Sequence, residues 1–468
     1  MPMKPCAVTP ALGRSFRITV LLVIVAAGAL AGQDPPRAKA PTQDGAAARL
    51  QAAARADTLA YDRLEFLCDR IGPRIAGSRP FQQAVRWAEA TFREDGHEGV
   101  RTEPVKVHLW IRGRERAVMT APVEHDLPML GLGESVGTPG VEAPVVVVRS
   151  LEEVGPQVKG KIVLFEPDIP AGAGAGALYG IFARIRTRGP SAAGAAGALA
   201  ALVRSVPPVS LATPHTGTLD YDADKPRIPA AALDAEHADW IARLVRAGVE
   251  VRVRLEMGAH DGGLVDTANV VAEIRGASKP DEIVLVGAHL DSWDVGQGAQ
   301  DDGVGVVHVI EAMRLIRSLG VRPARTIRAV LFANEEHGLE GGTAYAAAHA
   351  GERHVAAVET DLGSGRPERW SASGTVPELG WFLTAAQPVG LPVEVGGGGA
   401  DISPLGARGV LVSTLHGDVE GYFNIHHTEA DTLDKVDPAL LREGLAAIAG
   451  LAWQLANVPM PGEGTFAP

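Results

Sequence analysis

Hydrophobic residues recur at helical spacing from Ala48 to Ile71 and again from Pro80 to Gly96. In the second stretch Val85, Ala88 and Phe92 fall on one side, so two helices are predicted near the start of the folded chain. The period then shortens to two. VRTEPVKVHLWIRG and RERAVMTAP alternate apolar and polar positions across a short charged turn, which predicts strands up to about Pro122. From Val123 to Met257 the texture changes. EAPVVVVRS, GKIVLFEP and EVRVRLEM are short strand-like runs between Gly and Pro turns, and SAAGAAGALAALVRS is predicted to be a small-residue helix. The stretch AGAGAGALYGIFARIRTRG is rich in Gly and Ala and is read as a mobile or ligand-covering loop. After Asp266 strands and helices alternate, as in an α/β sheet covered by helices. EIVLVGAH, residues 282–289, is nearly all apolar, as a strand buried on both faces must be, and TIRAVLFAN is another. GVGVVHVIEAMRLIRSLG is a helix stopped by Gly320. VDPALLREGLAAIAGLAWQLA is a last amphipathic helix, with Leu441, Leu445, Ile448, Ala452 and Leu455 on one face.

The pattern predicts a three-layer α/β/α sandwich around a mixed, largely parallel sheet, with a β-rich domain inserted over residues 123–257. Residues 46–122 and 258–458 form the larger domain, the second part carrying the chemistry, and 459–468 are a tail. Ahead of these, Lys4, Arg14 and Arg17 precede an apolar run from Ile18 to Ala31 that closes on Ala-Leu-Ala, a secretory signal pattern over residues 1–31. A linker rich in Pro, Ala, Gln and Lys follows over 32–45. The apolar run is shorter than the roughly 20 residues a membrane-crossing helix needs. A secreted or periplasmic protein without stable membrane insertion is expected.

Composition narrows the function. With 46% hydrophobic residues the chain buries a large core, and with 56 acidic against 44 basic residues it offers no basic face for nucleic acid. Removal of residues 1–31, which hold basic but no acidic residues, makes it more acidic still. It would also remove Cys6 and leave Cys68 alone, so no intramolecular disulfide forms. Cys68 sits in the apolar stretch LEFLCDRIG and is read as a buried, inert thiol.

The chemistry-bearing residues fall just beyond predicted strand ends, where open α/β sheets bind ligands. In HLDSWDVGQGAQDDGVG, residues 289–305, His289 closes a strand and Asp291 projects to the same side, so its carboxylate can orient the imidazole or touch its metal. Asp301 and Asp302 precede a helix and alone would be a cap. With a histidine and a third aspartate so near, a metal site is the better reading. Glu335 and Glu336 follow TIRAVLFAN; neighbours at a bend point in different directions, so one can ligate while the other stays free as a proton acceptor. Asp361 lies in AAVETDLGSG, and His426 and His427 in NIHHTEADT. Two imidazoles with three carboxylates suit Zn²⁺, and one carboxylate shared between two metals accounts for the stoichiometry.

The order HxD, GAxDD, EE, D, HT resembles the co-catalytic zinc exopeptidases that include bacterial leucyl aminopeptidases and glutamate carboxypeptidases. The strings GAHLDSWDVGQGAQDD, VRSV, PHTG, GADI and HHTEADT extend the resemblance over nearly all of the mature chain. Within the insert, VVVVRSLEEVGPQVKGKIVLF resembles the protease-associated domain found inserted in several exopeptidases, as a substrate-selecting wall or lid, or as a spacer or dimer surface. Carried over residue by residue, the resemblance makes Asp301 the bridging carboxylate. His289 and Asp361 then complete one zinc site, Glu336 and His427 the other. His427 is preferred to His426 because the family's ligand directly precedes the Thr or Ser of the HT motif. A cis peptide between Asp301 and Asp302 is also implied. So are two Zn²⁺ per subunit, a metal-activated water as attacking group, and Glu335 as general base and acid.

Asp401 in GGGGADISPLG lies where the family places residues beside the substrate, to bind an α-amino group or to shape a turn. Tyr422 is a carboxylate or oxyanion donor, or a packed aromatic. The resemblance implies a homodimeric exopeptidase for short peptides, unblocked dipeptides above all. An aminopeptidase for longer peptides shares every ligand, whereas a non-catalytic receptor-like module of this fold would have lost them. NEEHGLEGG and GADISPLG depart from the family's strings, which leaves side-chain preference open.

Overall fold

The computed structural model describes residues 43–463 apart from 171 and 206–210; the signal pattern over 1–31 and most of the 32–45 linker lie outside them. Four parallel strands form the centre of the first sheet. Lys279–His289 lies between Arg325–Phe332 and Arg353–Glu359, and Leu411–Gly417 pairs with the latter. Antiparallel neighbours extend both sides: His260–Ile274 and then Glu98–Ile111 on one, Pro367–Ser373 on the other, with Val393–Val395 at the edge. The sheet is mixed with a parallel core, as the apolar runs predict.

Side chains of successive strand residues enter opposite layers. Val284, Val286 and Ala288 join the larger core with Ile310, Leu445 and Ile448, while Leu285 joins a smaller one with Tyr345 and Ile402. The helices Val304–Ser318 and Pro438–Asn457 thus cover one face, and Glu340–Ala348 and Ser403–Gly406 the other. The three predicted layers are present. The helical stretch predicted from Ala48 to Ile71 is broken, however, into Gln43–Arg55 and Leu59–Phe66. Asp57 Oδ1 accepts the Ala60 N–H at 2.8 Å and starts a new helix there. Ser78 starts the next, Arg79–Glu94, by accepting the Phe81 N–H at 3.2 Å.

A second eight-stranded sheet runs in the order His125–Leu127, Glu115–Ala121, Arg252–Met257, Thr138–Val148, Ile162–Phe165, Ala200–Arg204, Ala230–Leu233, Met129–Gly131. Glu115–Ala121, placed by sequence ahead of the insert, pairs antiparallel with Arg252–Met257. The charged turn after Ile111 is therefore where the chain crosses between sheets. Two sequence expectations fail in this region. AGAGAGALYGIFARIRTRG is not a loop: Ala175–Ala195 is a helix, because Leu178, Phe182 and Ile185 recur about one turn apart and all three are buried. SAAGAAGALAALVRS is not a helix throughout. Gly197, at φ +85°, ends the helical part, and Ala200–Arg204 is a strand between two parallel neighbours. Among the described residues no helix is long and apolar enough to cross a membrane.

His308 ties the helix Val304–Ser318 to the sheet close to the predicted ligands. Its Nε2–H donates to the Leu441 carbonyl at 2.9 Å, and its Nδ1 accepts from the Thr360 hydroxyl at 3.2 Å. The Thr360 hydroxyl can donate or accept, and with a neutral imidazole it donates to Nδ1. Gly444 permits the approach, since a Cβ there would lie 2.6 Å from His308 Cε1. Burial lowers the His308 pKa to about 4.

Two measurements check this packing. Below a pH of about 6.5 the unfolded chain takes up a proton on His308 that the folded chain refuses until about pH 4, so stability falls as pH falls through that window. Urea titrations at pH 7 and pH 5 should show the loss. His308→Gln, which can still donate and accept, should reduce it by about 1–2 kcal/mol; an identical pH dependence in the variant would refute the buried neutral imidazole. Cys68 is 2% exposed and burial pushes its thiol up to about 12. An aromatic disulfide reagent at pH 8 should label it only as fast as the protein unfolds.

Candidate metal centre

Every predicted ligand leaves the sheet at the carboxyl end of a central parallel strand or in the loop that follows. His289 is the last residue of Lys279–His289, and Asp301 ends the loop leading to the helix Val304–Ser318. Glu335 and Glu336 follow Arg325–Phe332, Asp361 follows Arg353–Glu359, and His427 follows Leu411–Gly417. These four ends lie side by side, so residues far apart in sequence converge.

The Asp301 carboxylate sits between two imidazoles. Its Oδ1 is 3.2 Å from His289 Nε2 and its Oδ2 is 3.2 Å from His427 Nε2. Asp361 Oδ1 lies 3.2 Å from the same His289 nitrogen, and Glu336 Oε2 lies 3.1 Å from the same His427 nitrogen. Two nitrogen–oxygen triads thus share one carboxylate. Ligand atoms on a tetrahedral ion with bonds of about 2.0 Å stand roughly 3.3 Å apart, so each spacing is that of neighbouring ligands. Hydrogen bonding leaves part of this cluster unsatisfied: Asp301 Oδ2, Glu336 Oε1 and His427 Nδ1 are buried without a hydrogen-bond partner. Imidazole and carboxylate donors without thiolate suit Zn²⁺, and the residues present fit such an ion.

Asp302 also comes within ligand distance of His289 and Asp361. Its oxygens are already used, Oδ1 by the Gly305 N–H at 3.0 Å and Oδ2 by the His289 N–H at 3.2 Å. It caps the helix. The peptide between Asp301 and Asp302 is cis, as the resemblance implies.

Asp291 acts differently from the arrangement read in the sequence. Its carboxylate is 3.7 Å from His289 Nδ1, beyond hydrogen-bond length, and the imidazole donates instead to the Asp291 backbone carbonyl at 3.1 Å. The carboxylate accepts three backbone N–H groups, from Asn334 at 2.8 Å, Glu335 at 3.2 Å and Glu336 at 3.3 Å. It fixes the bend on which the two glutamates diverge. Asn334 and His427 both take left-handed backbone conformations, φ +69° and +59°, strain of a kind concentrated at functional sites.

Sequence reasoning missed two residues that hold the ligand loop. Arg74, fully buried, donates to the carbonyls of Leu290 at 2.7 Å and of Gln297 and Gly298 at 2.9 Å. Asp431 accepts the N–H groups of Ala299 at 3.1 Å, Gln300 at 2.7 Å and Asp301 at 3.2 Å. Asp431 stood in the HHTEADT string, where its role had no signal. Arg74 is a lone arginine far from every motif.

A cavity of about 620 Å³ opens over the centre, lined by Asp301, Glu335, Glu336, Asp361 and Tyr422 and, from the helix Ala175–Ala195, by Tyr179 and Arg186. Burial, opposed by His289 and reinforced by the carboxylates of Asp361, Glu336 and Asp301, raises the Glu335 carboxyl well above the usual carboxylate range. Burial and the Asp301 and Asp361 carboxylates likewise keep the Tyr422 hydroxyl protonated. His426 stacks on Tyr422 with ring centres 5.0 Å apart, and burial, then the charge of His427, holds it neutral. Asp401 is not part of the lining. It is 1% exposed, both of its carboxylate oxygens lack partners, and its neighbour Ala400 faces the cavity instead.

Residues 269–452 match the model of peptidase family M28. Carboxypeptidase Q of Bos taurus is 37% identical over 415 residues, covering 86% of this chain and 86% of that one. The crystal structure of a peptidase M28 precursor from Shewanella amazonensis superposes with a TM-score of 0.85 at 37% identity, over 90% of this chain and 99% of the other. A zinc aminopeptidase from Bacillus subtilis shares the fold, with a TM-score of 0.64 at 20% identity over 85% of this chain and 94% of its own. The chain belongs to peptidase family M28, a family of zinc peptidases, and is a peptide hydrolase.

Proposed function

We propose that this chain is a secreted or periplasmic dizinc exopeptidase that hydrolyses short peptides, unblocked dipeptides above all, and works as a homodimer. The observation that carries the reading is the Asp301 carboxylate held between two nitrogen–oxygen triads, with the free Glu335 carboxylate beside it in one cavity. Similarity to carboxypeptidase Q over most of both chains supports an exopeptidase, and the pattern of residues 1–31 supports export.

In this reading His289, Asp301 and Asp361 hold one ion, and Asp301, Glu336 and His427 the other. When bound, two Zn²⁺ would lower the pKa of water toward neutrality and polarise the scissile carbonyl. Glu335 takes the proton of the attacking water. Its carboxylate has no hydrogen-bond partner among the described residues, and its raised proton affinity suits a base that must accept a proton near neutral pH and then give it up to the leaving nitrogen. Asp291 positions that base through the backbone N–H of Glu335 itself. Tyr422 presents a protonated hydroxyl to the cavity, able to donate to a developing oxyanion or a substrate carboxylate. Asp401 stays outside the cavity lining, where burial and the Glu359 and Glu335 carboxylates raise its carboxyl well above the usual carboxylate range.

The purified mature protein should hydrolyse free dipeptides, lose the activity on chelation and regain it with zinc. Cleavage of longer peptides from the amino end would reassign it as an aminopeptidase, and no zinc-dependent cleavage of any peptide would remove the reading. Glu335→Gln should lower kcat by about 10²- to 10⁴-fold while retaining its zinc. Asp301→Asn should lose zinc from both positions, because one carboxylate serves both; retention of two ions per chain by metal analysis would contradict the bridging role.

A further inference from the structure

Among the described residues that line the cavity, Arg186 is the single lysine or arginine, facing the carboxylates of Asp301, Glu335, Glu336 and Asp361. Its donors are also used less fully than those of other shielded arginines: Arg74, which has no acidic partner either, gives its donors to three backbone carbonyls. Arg112, Arg204, Arg325 and Arg328 each pair with an aspartate or glutamate. No carboxylate of the described residues lies within ion-pair distance of Arg186, and its Nε is buried with no acceptor at all.

The guanidinium is nevertheless held in place. Nη1 donates to the Thr216 carbonyl at 3.2 Å, Nη2 makes a long contact of 3.5 Å with the Tyr179 hydroxyl, and the guanidinium carbon lies 5.7 Å from the centre of the Tyr179 ring. Gly217, at φ +144°, leaves it the space: a Cβ there would stand 2.1 Å from the guanidinium carbon. Thr216 also connects it to the metal centre, because its N–H donates to the His427 carbonyl at 2.9 Å. One residue of backbone thus separates the contact of Arg186 from that of a proposed zinc ligand. A planar fork with five donors, of which one is used at normal length, is matched to a carboxylate.

We propose that Arg186 anchors the terminal α-carboxylate of the substrate, so that the second sheet supplies a subsite for the free C-terminus next to the scissile bond. The inference rests on the exopeptidase reading above and deepens it. A carboxylate anchored in the wall of the same cavity ends the substrate on its leaving side, and for a dipeptide the residue released there is a single amino acid. Peptides that continue past that residue, or end in an amide, cannot satisfy the guanidinium. Arg186 is thus a specificity-determining residue, while the bond-breaking groups come from the first sheet.

The test compares alanyl-alanine with alanyl-alaninamide on zinc-loaded wild type, Arg186→Met and Arg186→Lys, with zinc content and circular dichroism recorded for each. Wild type should prefer the acid. In Arg186→Met the KM for the acid should rise about 10- to 100-fold with kcat little changed, so that the acid-over-amide ratio of kcat/KM collapses toward one. Arg186→Lys, which keeps the charge without the fork, should recover part of the ratio. Arg186 as a purely structural residue predicts that both substrates suffer equally and the ratio stays; that outcome overturns the proposal while leaving the exopeptidase reading intact. Should wild type cleave neither substrate, the exopeptidase reading fails first, and thermal shift with free alanine decides the subsite. Stabilisation of wild type and Arg186→Lys but not of Arg186→Met would uphold it, and no stabilisation of wild type would overturn it.

Discussion

Buried carboxylates crowd the carboxyl ends of the four parallel strands, and like charges this close repel strongly out of water. The structure separates them by what their oxygens do. Asp291, Asp302 and Asp431 give theirs to backbone N–H groups of the loops around them, so oriented peptide dipoles offset part of the cost of burying them and they shape the chain. Asp301 Oδ2 and Glu336 Oε1 are left without a hydrogen bond, and the Asp301 oxygen lies 3.2 Å from His427 Nε2, while the other oxygens of the two carboxylates approach His289 and His427. The first group is scaffold and the second offers candidate ligands. Without a cation the second group costs free energy for every unsatisfied oxygen, so a cation bound there would be energetically linked to folding.

The scaffold group explains how loops can present ligands with strand-like precision. Residues from Leu290 to Asp301 form no regular ladder, yet Arg74 takes up three of their carbonyls and Asp431 three of the N–H groups at their end. An arginine with no acidic partner is costly to bury unless its donors are used, and here three backbone carbonyls use them. Both residues lie far from the loop in sequence, one before the first strand and one near the last helix. The site therefore forms only when the two ends of the larger domain have closed on each other.

The candidate ligands were legible in the sequence because each follows a buried strand, and strand ends announce themselves through apolar runs such as EIVLVGAH and TIRAVLFAN. The central sheet, its helices and the convergence of His289, Asp301, Glu336, Asp361 and His427 follow from that pattern and the family's motif order. What stayed hidden has a common physical origin: partners chosen by tertiary contact leave no local trace. Arg74 carries no motif, and the carboxylate of Asp291 turns out to hold a bend some forty residues away rather than its neighbouring imidazole. In Ala175–Ala195 composition misled, since Gly and Ala outnumber the three large apolar residues that bury the helix. At Ala200–Arg204 a run of alanines with high helix propensity is drawn into a strand by parallel neighbours on both sides, a tertiary override of local preference.

The two sheets divide the labour at the cavity. All proposed ligands and Glu335 arise from the first, whereas the second reaches the centre through main-chain contacts: the Thr216 N–H on the His427 carbonyl and the Thr218 hydroxyl on the Glu336 carbonyl at 3.0 Å. The Arg112–Asp294 ion pair at 2.7 Å closes the same seam from the other side of the ligand loop. Contacts of this kind steady two ligands without contributing any donor atom to a metal. They also mean that side chains on the second sheet and its helix, Tyr179 and Arg186 among them, can change without altering the chemistry of the first. A substrate contact on that helix, as proposed for Arg186, is thereby separate from the groups proposed to break the bond, and Asp401, 1% exposed, lies outside the cavity lining altogether.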